Sequence, residues 1–559
     1  MSKINIIPLG GVRENGKNMY VVEVDELIFV LDCGLLYPES DLLGIDIVIP
    51  DFTYLEENKN RIAGVFLTHG HEDAVGALPY FLENIDAPVF GTELTIELAK
   101  LAVKETGLTP KFDSYHVVNE KTAIEFENVV VKFFRTTHSI PDSVGICLQT
   151  KEGSIVYTGD FKFDQSSPDM YKTDFAQITS IGTDGVLALL SDSSDAESAL
   201  ENASDLRVTE EIVDTFNNAE GRVIVASIAS NIMRVQQIFD AAYQTKRKIF
   251  MTGSKLVEVV DTAIKLGKLV LPSRDVIVTE ENLDKYADNE LIILETGQTV
   301  DPMQALQRMA KNKHSQIQIA EGDLVYITTT PSTSMETVVA KTKNILYRAG
   351  ATVKEISDTL KVSGHATPND LKLMMNLLQP KYFIPVQGEY RFQAAHAELA
   401  NEVGIPYKNI FIPGKGDIME YKDGRMRMAG QVPAGNVLID GIGVGDIGNI
   451  VLRDRKLLAD NGIFIAVITI SRRQGKILSG PEIISRGFVY MKVSEDLIKN
   501  SAEIARKVVE DNLKNKDFEW ATLKQEIRDS LSRYLFEETK RRPVILPIIM
   551  EASSYTKKR

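Results

Sequence analysis

His69, His71 and Asp73 stand in the pattern H-x-H-x-D inside "VFLTHGHEDAVGALPYF", residues 65–81. Imidazole nitrogen and carboxylate oxygen are ligands that zinc and manganese both accept. Two histidines two residues apart in a tight loop can reach one ion. An aspartate two positions further on can reach a second. His138 follows His71 by 67 residues, and Asp160 follows His138 by 22. A single histidine is more often a satisfied polar residue than a ligand, so the ordered set H-x-H-x-D…H…D carries the argument. That set points to a metal site. A binuclear site wants one more histidine directly after the aspartate, and this chain has Ala74 there.

The segments that must position these groups are short, apolar and β-rich. "IAGVFLTHG" reads as a buried strand running into a loop, "VVVKFFRTTHS" as a strand ending at His138, and "GSIVYTGDF" as a strand ending at Asp160. "MYVVEVDELIFVLDCG" reads as a hairpin ending on Asp32. Continuous Val, Ile and Phe runs are those of strands buried on both faces. Each candidate ligand falls just past such a run, where a rigid sheet presents groups on loops. From about 206 the style changes: "RVIVAS" and "KIFMTG" alternate with helical patterns such as "SNIMRVQQIFDAAYQ", as in a separate α/β unit. Near 358 the first style returns, with "PKYFIPVQGEYRF" as a strand leaving into a polar turn. A domain interrupted by an insertion explains that order.

Residues 441–462 are Gly-rich, then helical, and suit a linker. Beyond them "IFIAVITISR" predicts a strand, and a helix is expected after Ser494 with Leu497, Ile504, Val508 and Leu513 near one face. A second helix carries Leu523, Ile527, Leu531 and Leu535 at four-residue spacing. "RRPVILPIIM" reads as a strand broken by prolines, hence at an edge. Trp520 and the aromatic residues near it read as core.

The totals bound the rest. The chain has 559 residues, room for three or four domains at ~100–200 residues each. Apolar runs fall short of the ~20 residues of a membrane span, and the N-terminus lacks a signal-peptide pattern. Two cysteines, Cys33 and Cys147, exclude a disulfide framework; a reduced, cytoplasmic setting is expected. The formal net charge of −15 argues against coating nucleic acid through bulk charge but leaves a local basic channel open.

The wider pattern carries a resemblance. "GGVRENGKNMYVVEVDE", "LDCGLLYPE", "LTHGHEDAVGALPY", "TTHSIPDS", "YTGDFKFD", "VSGHA", "QGEYRF", "GIGVGDIGNIVLRDR" and "LSGPEIISRGFVY" together resemble the ribonuclease J family, of the β-CASP branch of the metallo-β-lactamase superfamily. The resemblance covers essentially the whole chain and is nearest to the family's type 2 paralogue in Firmicutes. It implies an αββα sandwich with an inserted α/β domain and a small α/β C-terminal domain. The expected spans are 1–205 and 358–440 for the two parts of the metallo-β-lactamase domain, 206–357 for the β-CASP insertion, 441–462 for the linker and 463–559 for an assembly domain.

Carried over residue by residue, the resemblance assigns one metal to His69, His71, His138 and Asp160. The second metal would take Asp73, Asp160 and two histidines, but those two positions are Ala74 and Gln387. One ion per chain, zinc or manganese, is therefore expected. Lys361, Val362, Ser363, Gly364 and His365 match the family's phosphate-binding loop, although Ala366 and Thr367 replace the usual two glycines. Ser363 and the Gly364 backbone would donate to a phosphate oxygen; a plain Ser-Gly turn with a surface histidine is the bland alternative. Asp73 and His365 are the expected catalytic groups. Ser230 and Asn231 match a loop facing RNA, and a helix N-cap role serves them equally well. His116, His314 and His396 receive no role.

Two functions follow from this set. The first is a ribonuclease of RNA processing and decay, 5′→3′ exonuclease and also endonuclease, weak because second-metal ligands are missing. The second is an inert pseudo-nuclease subunit that shapes the assembly and cut-site choice of an active paralogue. Fold alone does not fix chemistry, and a small-molecule hydrolase of the same superfold is a third reading, disfavoured by the inserted and C-terminal domains. RNA, a homodimer and a hetero-oligomer with the active paralogue are the expected partners, with no membrane.

Overall fold

The computed structural model describes residues 2–38, 42–297, 301–328, 336–356, 360–441, 443–445, 447–489, 494–514 and 519–552. The chain divides into two compact units, Met1–Glu39 with Asp46–Val437 and Ser40–Ile45 with Leu438–Arg559.

The larger unit is built on two sheets whose inner faces share one core. The eight-stranded sheet includes Ile4–Pro8, Tyr20–Val24, Leu27–Leu31 and Ile62–Phe66; the six-stranded sheet includes Val129–Arg135, Val144–Thr150, Gly153–Tyr157, Val186–Asp192 and Tyr382–Val386. Ile4, Ile6, Tyr20, Val22, Phe29 and Phe66 of the first meet Val131, Phe133, Ile146, Leu148, Tyr157 and Ile384 of the second in a single buried cluster. Alternation puts every second side chain between the sheets. The opposite side chains of the six-stranded sheet, such as Phe134, Val156, Leu189 and Phe383, pack against the helices Phe175–Asp184 and Pro368–Leu378. The helix Glu93–Thr106 lies against the other sheet, and Leu78–Asn84 packs on that helix. This is the helix–sheet–sheet–helix layering expected of the resemblance.

The chain leaves this sandwich after Val186–Asp192 and returns through the helix Pro368–Leu378 to Tyr382–Val386, which pairs in parallel directly beside it, Asp192 opposite Val386. Between them lies a wholly parallel five-stranded sheet: Lys248–Thr252, Leu291–Gly297, Val223–Ile228, Leu324–Ile327 and Thr352–Glu355, in that spatial order. Parallel strands need helical crossovers, and Ile232–Gln244, Ser254–Lys265, Asp301–Ala310 and Glu336–Arg348 supply them. The alternating strand and helix patterns from 206 onward are thus one α/β insertion.

The smaller unit holds a three-stranded sheet, Lys476–Arg486, Ile463–Ser471 and Val544–Glu551, with the helices Glu495–Leu513 and Trp520–Thr539 on one face. Residues 441–462, read as a linker, contain the helix Asn449–Asn461 and belong to this unit. Val544–Glu551 is an edge strand, yet its register against Ile463–Ser471 runs unbroken through Pro547. Leu523, Ile527, Leu531 and Leu535 are all fully buried. In the preceding helix the fully buried positions are Ser501, Ala505 and Val509, while Leu497, Ile504, Val508 and Leu513 flank them half-buried. Trp520 is half-buried at the edge of the same cluster, with the Arg472 guanidinium 5.9 Å from its ring.

Candidate metal centre

Strand ends place the candidate ligands. His69, His71 and Asp73 follow Ile62–Phe66; Asp160 follows Gly153–Tyr157; Gln387 follows Tyr382–Val386; His138 follows Val129–Arg135. These ends converge. The rings of His69, His71 and His138 form a triangle with centroids 4.8, 5.0 and 4.9 Å apart. The nitrogens of His69, His71 and His138 form one close group, and His69, Asp73 and Asp160 a second.

The hydrogen bonds behind each ring fix its tautomer. His138 Nδ1 lies 2.8 Å from the Gly364 carbonyl and must donate, so Nε2 carries the lone pair. His71 Nε2 lies 3.3 Å from the Ser230 carbonyl and donates there, leaving the lone pair on Nδ1. His69 Nδ1 sits 2.9 Å from Thr68 Oγ1. That hydroxyl is 2.9–3.0 Å from both Asp32 carboxylate oxygens, to which it donates, so it accepts from His69 and leaves Nε2 free. Asp32 is itself fixed by the Thr68 amide at 2.8 Å and the Tyr157 hydroxyl at 2.8 Å. This is the outer layer that orients imidazole ligands.

Three lone pairs therefore face one point. His138 Nε2 and His71 Nδ1, both acceptors, are 3.1 Å apart. Such an approach is repulsive unless something positive sits beside it. His69 Nε2 and Asp160 Oδ1 are buried with no hydrogen-bond partner among the described residues. Burial holds His71 neutral, down at about 3, and His138 well below the ordinary range. Burial opposes charge on His69 too, but Asp160 and then Asp73 push it up to about 9. Its Nε2 lies 3.7 Å from Asp160 Oδ2 and 3.6 Å from Asp73 Oδ1. Carboxylates that draw a proton onto Nε2 draw a divalent cation there for the same reason. The donor set His69, His71, His138 and Asp160 fits a zinc or manganese ion.

The second half of a binuclear site is different. Ala74 is fully buried and its methyl offers no ligand. Gln387 is 3% exposed and turns its amide Nε2 toward Asp160 Oδ2 at 3.2 Å and Asp73 Oδ2 at 3.4 Å. Asn18 Nδ2 donates to the same Asp73 oxygen at 3.2 Å. Burial and then Asp73 raise Asp160 to about 7. Burial acts the same way on Asp73, but His69 outweighs it and holds Asp73 low.

The sequence reading did not single out the carboxylate behind His365. Asp192, fully buried at the end of Val186–Asp192, holds His365 Nδ1 at 2.7 Å. The signal was available: "VLALLSD" is another apolar run ending on an aspartate. Burial works against charge on His365, but Asp192 overrides it and raises the imidazole well above its ordinary range. The rest of the 361–365 loop is structural in detail. The Lys361 ammonium gives two of its three donors to Asp195 at 3.2 Å and Ser198 Oγ. Val362 packs against the inserted domain's core. Ser363 Oγ accepts from the His365 amide at 3.1 Å. Gly364 is required, because a Cβ there would lie 2.8 Å from His138 Cε1. Thr367 opens the helix Pro368–Leu378 with a capping box, which accounts for its presence after Ala366. The Asn231 side chain accepts from the Arg234 amide as the N-cap of Ile232–Gln244, and the Ser230 carbonyl serves His71.

Comparison with known proteins agrees with this geometry. Family models match along the chain: the metallo-beta-lactamase superfamily at 12–210, the ribonuclease J beta-CASP domain at 220–346, the Zn-dependent metallo-hydrolase RNA specificity domain at 352–413 and the ribonuclease J C-terminal domain at 450–552. A protein of Streptococcus pyogenes serotype M3 named Ribonuclease J 2 is 52% identical over 99% of this chain and 100% of its own. A Staphylococcus epidermidis protein of the same name is 48% identical over 98% of each chain. A solved structure from Enterococcus faecalis V583, a protein of unknown function, shares the fold at a TM-score of 0.52 and 14% identity, over 75% of this chain and all of its own. With full-length relatives at this identity and four matching domain models, the chain belongs to the ribonuclease J family of metal-dependent ribonucleases.

Proposed function

We propose that the chain is a one-cation ribonuclease of RNA processing and decay, acting 5′→3′ and also internally, with intrinsic turnover well below that of a two-cation relative. The observation that carries this reading is the asymmetry of the centre. The nitrogens of His69, His71 and His138 form one close group, with Asp160 Oδ2 3.7 Å from His69 Nε2 and 3.9 Å from His138 Nε2, while Ala74 and Gln387 bring an inert methyl and an amide N–H beside Asp73 and Asp160. When bound, a cation at the first point supplies positive charge for the phosphate oxygens and acidifies water. The second ion that would clamp the opposite oxygen keeps Asp73 and Asp160 but lacks the two imidazoles, at Ala74 and Gln387.

The chain's own groups supply the rest. Asp73 keeps Oδ1 facing His69 Nε2 and is the proton acceptor for the attacking water. His365, 27% exposed and charged, gives Nδ1–H to Asp192 and keeps Nε2–H for a phosphate oxygen or the leaving group. Asp192 positions that ring as an acidic partner positions a catalytic histidine elsewhere. Ser363 and the Gly364 backbone N–H lie in the turn beside it, the His365 amide being given to Ser363 Oγ.

A partner role is compatible and is part of the proposal: a homodimer, and a hetero-oligomer with a fully liganded paralogue, through residues 463–559. The exposed apolar row Leu546, Ile548 and Met550 on the outer face of the edge strand supports it. Buried, unpaired Cys33 and Cys147 suit the reduced cytoplasm. Among the described residues no helix is long and apolar enough to cross a membrane.

The test is RNA digestion in Mn²⁺ by purified protein, with the His69→Ala, His71→Ala double variant as control and the Ala74→His, Gln387→His double variant as gain of function. The reading expects loss in the first and a rise of ~10-fold or more in the second. Unchanged cleavage by the first variant refutes it.

A further inference from the structure

We infer that Gln387 is more than an absent ligand: its side-chain amide is a built-in substitute for the second cation, a positioning residue that ties Asp73 to Asp160. The inference rests on the one-cation reading above. The amide is within reach of one oxygen on each carboxylate, 3.2 Å from Asp160 Oδ2 and 3.4 Å from Asp73 Oδ2. A primary amide has two N–H donors on one nitrogen, so it can satisfy two carboxylates at once; its oxygen in that place would face two other anions. Neighbouring buried carboxylates repel, and a bridging cation is the usual relief. Here two N–H dipoles do that work, with the Asn18 amide adding a third at 3.2 Å from the same Asp73 oxygen.

The backbone is built to hold the amide there. Gln387 sits at φ +54, a left-handed conformation that side chains other than glycine and asparagine rarely adopt. Its N–H donates to the Gly11 carbonyl at 2.6 Å, and the next residue's N–H to the Glu14 carbonyl at 3.0 Å. A strained residue clamped on both sides, with its side chain buried against two carboxylates, is a conformation retained for what the side chain reaches. With Asp73 Oδ2 taken by two amides, Oδ1 is the oxygen left toward His69. The centre then keeps both carboxylates in register with a single ion, and manganese beyond first-site saturation leaves it unchanged.

The experiment compares wild type with Gln387→Leu and Gln387→Glu, reading thermal unfolding in EDTA and ions bound per chain after dialysis against Mn²⁺. Gln387→Leu removes both donors; its metal-free melting point is expected to fall by about 3 °C or more while the ion count stays at one. Gln387→Glu places a third carboxylate in the cluster; its metal-free melting point is expected to fall further, and Mn²⁺ to restore it with a second ion bound. A Gln387→Leu protein that melts with wild type in EDTA, or a Gln387→Glu protein that takes no further ion, overturns the substitute role and leaves the one-cation reading standing. Two ions firmly held by wild type overturn both.

Discussion

His71 Nδ1 faces His138 Nε2 across 3.1 Å, and the far nitrogen of each ring is held by a backbone carbonyl, Ser230 and Gly364, from segments 159 and 226 residues away. The metal centre is therefore assembled from three stretches of chain: the first part of the sandwich, the α/β insertion and the segment that returns from it. Neither carbonyl is a ligand, and both decide which nitrogen can be one.

Gly364→Ala tests that dependence. The added Cβ falls 2.8 Å from His138 Cε1 and 3.0 Å from Nδ1, closer than any real contact, so the ring must turn. Manganese or zinc affinity, measured by equilibrium dialysis, is expected to fall by ~10–100-fold, the range for lost outer-layer support. Circular dichroism should be unchanged.

Asp192→Asn separates the phosphate side from the metal side. The charge that Asp192 maintains on His365 is lost, whereas His69, His71 and His138 keep their partners. RNA cleavage should drop by ~10²-fold or more, as for loss of general acid–base help. Bound metal per chain should not move.

His396 gives a pH dependence outside the centre. It is fully buried with Nδ1 on Ser193 Oγ at 3.0 Å and its ring against Phe383, and burial lowers its pKa to about 3. The unfolded value is about 6.5. The folded state binds the proton less well, so this contribution to stability is complete above pH ~6.5 and shrinks as pH falls toward 3. The slope is about 1.4 kcal/mol per pH unit. His396→Gln should melt lower at pH 7.5 but lose less stability than wild type between pH 6.5 and 5, read by urea unfolding of the full chain.

Assembly is tested on the surface rather than by truncation. Leu546 and Ile548 are 41% and 43% exposed on an edge strand whose alternate residues are buried. Leu546→Glu with Ile548→Glu leaves the buried face intact and is expected to shift the particle from dimer to monomer in light scattering. A dimer that persists moves the interface elsewhere.

The strand-end placing of the candidate ligands and the interruption of one domain by an α/β insertion were legible in local patterns, apolar runs marking strands and polar residues just past them marking the candidate site; the layering was implied by the resemblance. Leu523 to Leu535 was readable for the same reason. Asp192 and the Thr68–Asp32 support beneath His69 were not, because their meaning comes from adjacency across an insertion or between strands that spacing alone does not reveal. The helix at 495–513 was legible, its most buried positions less so. Hydrophobicity pointed to Leu497, Ile504 and Val508, which do pack against the core, but the fully buried positions are Ser501, Ala505 and Val509. Asn231 showed the reverse, a residue open to two readings whose side chain the helix cap has taken.

The most direct measurement is the metal content of protein purified without added metal, by plasma mass spectrometry against amino-acid quantitation. The account predicts one zinc or manganese per chain or fewer, rising to one and no further on titration. Two tightly held ions per chain would contradict it.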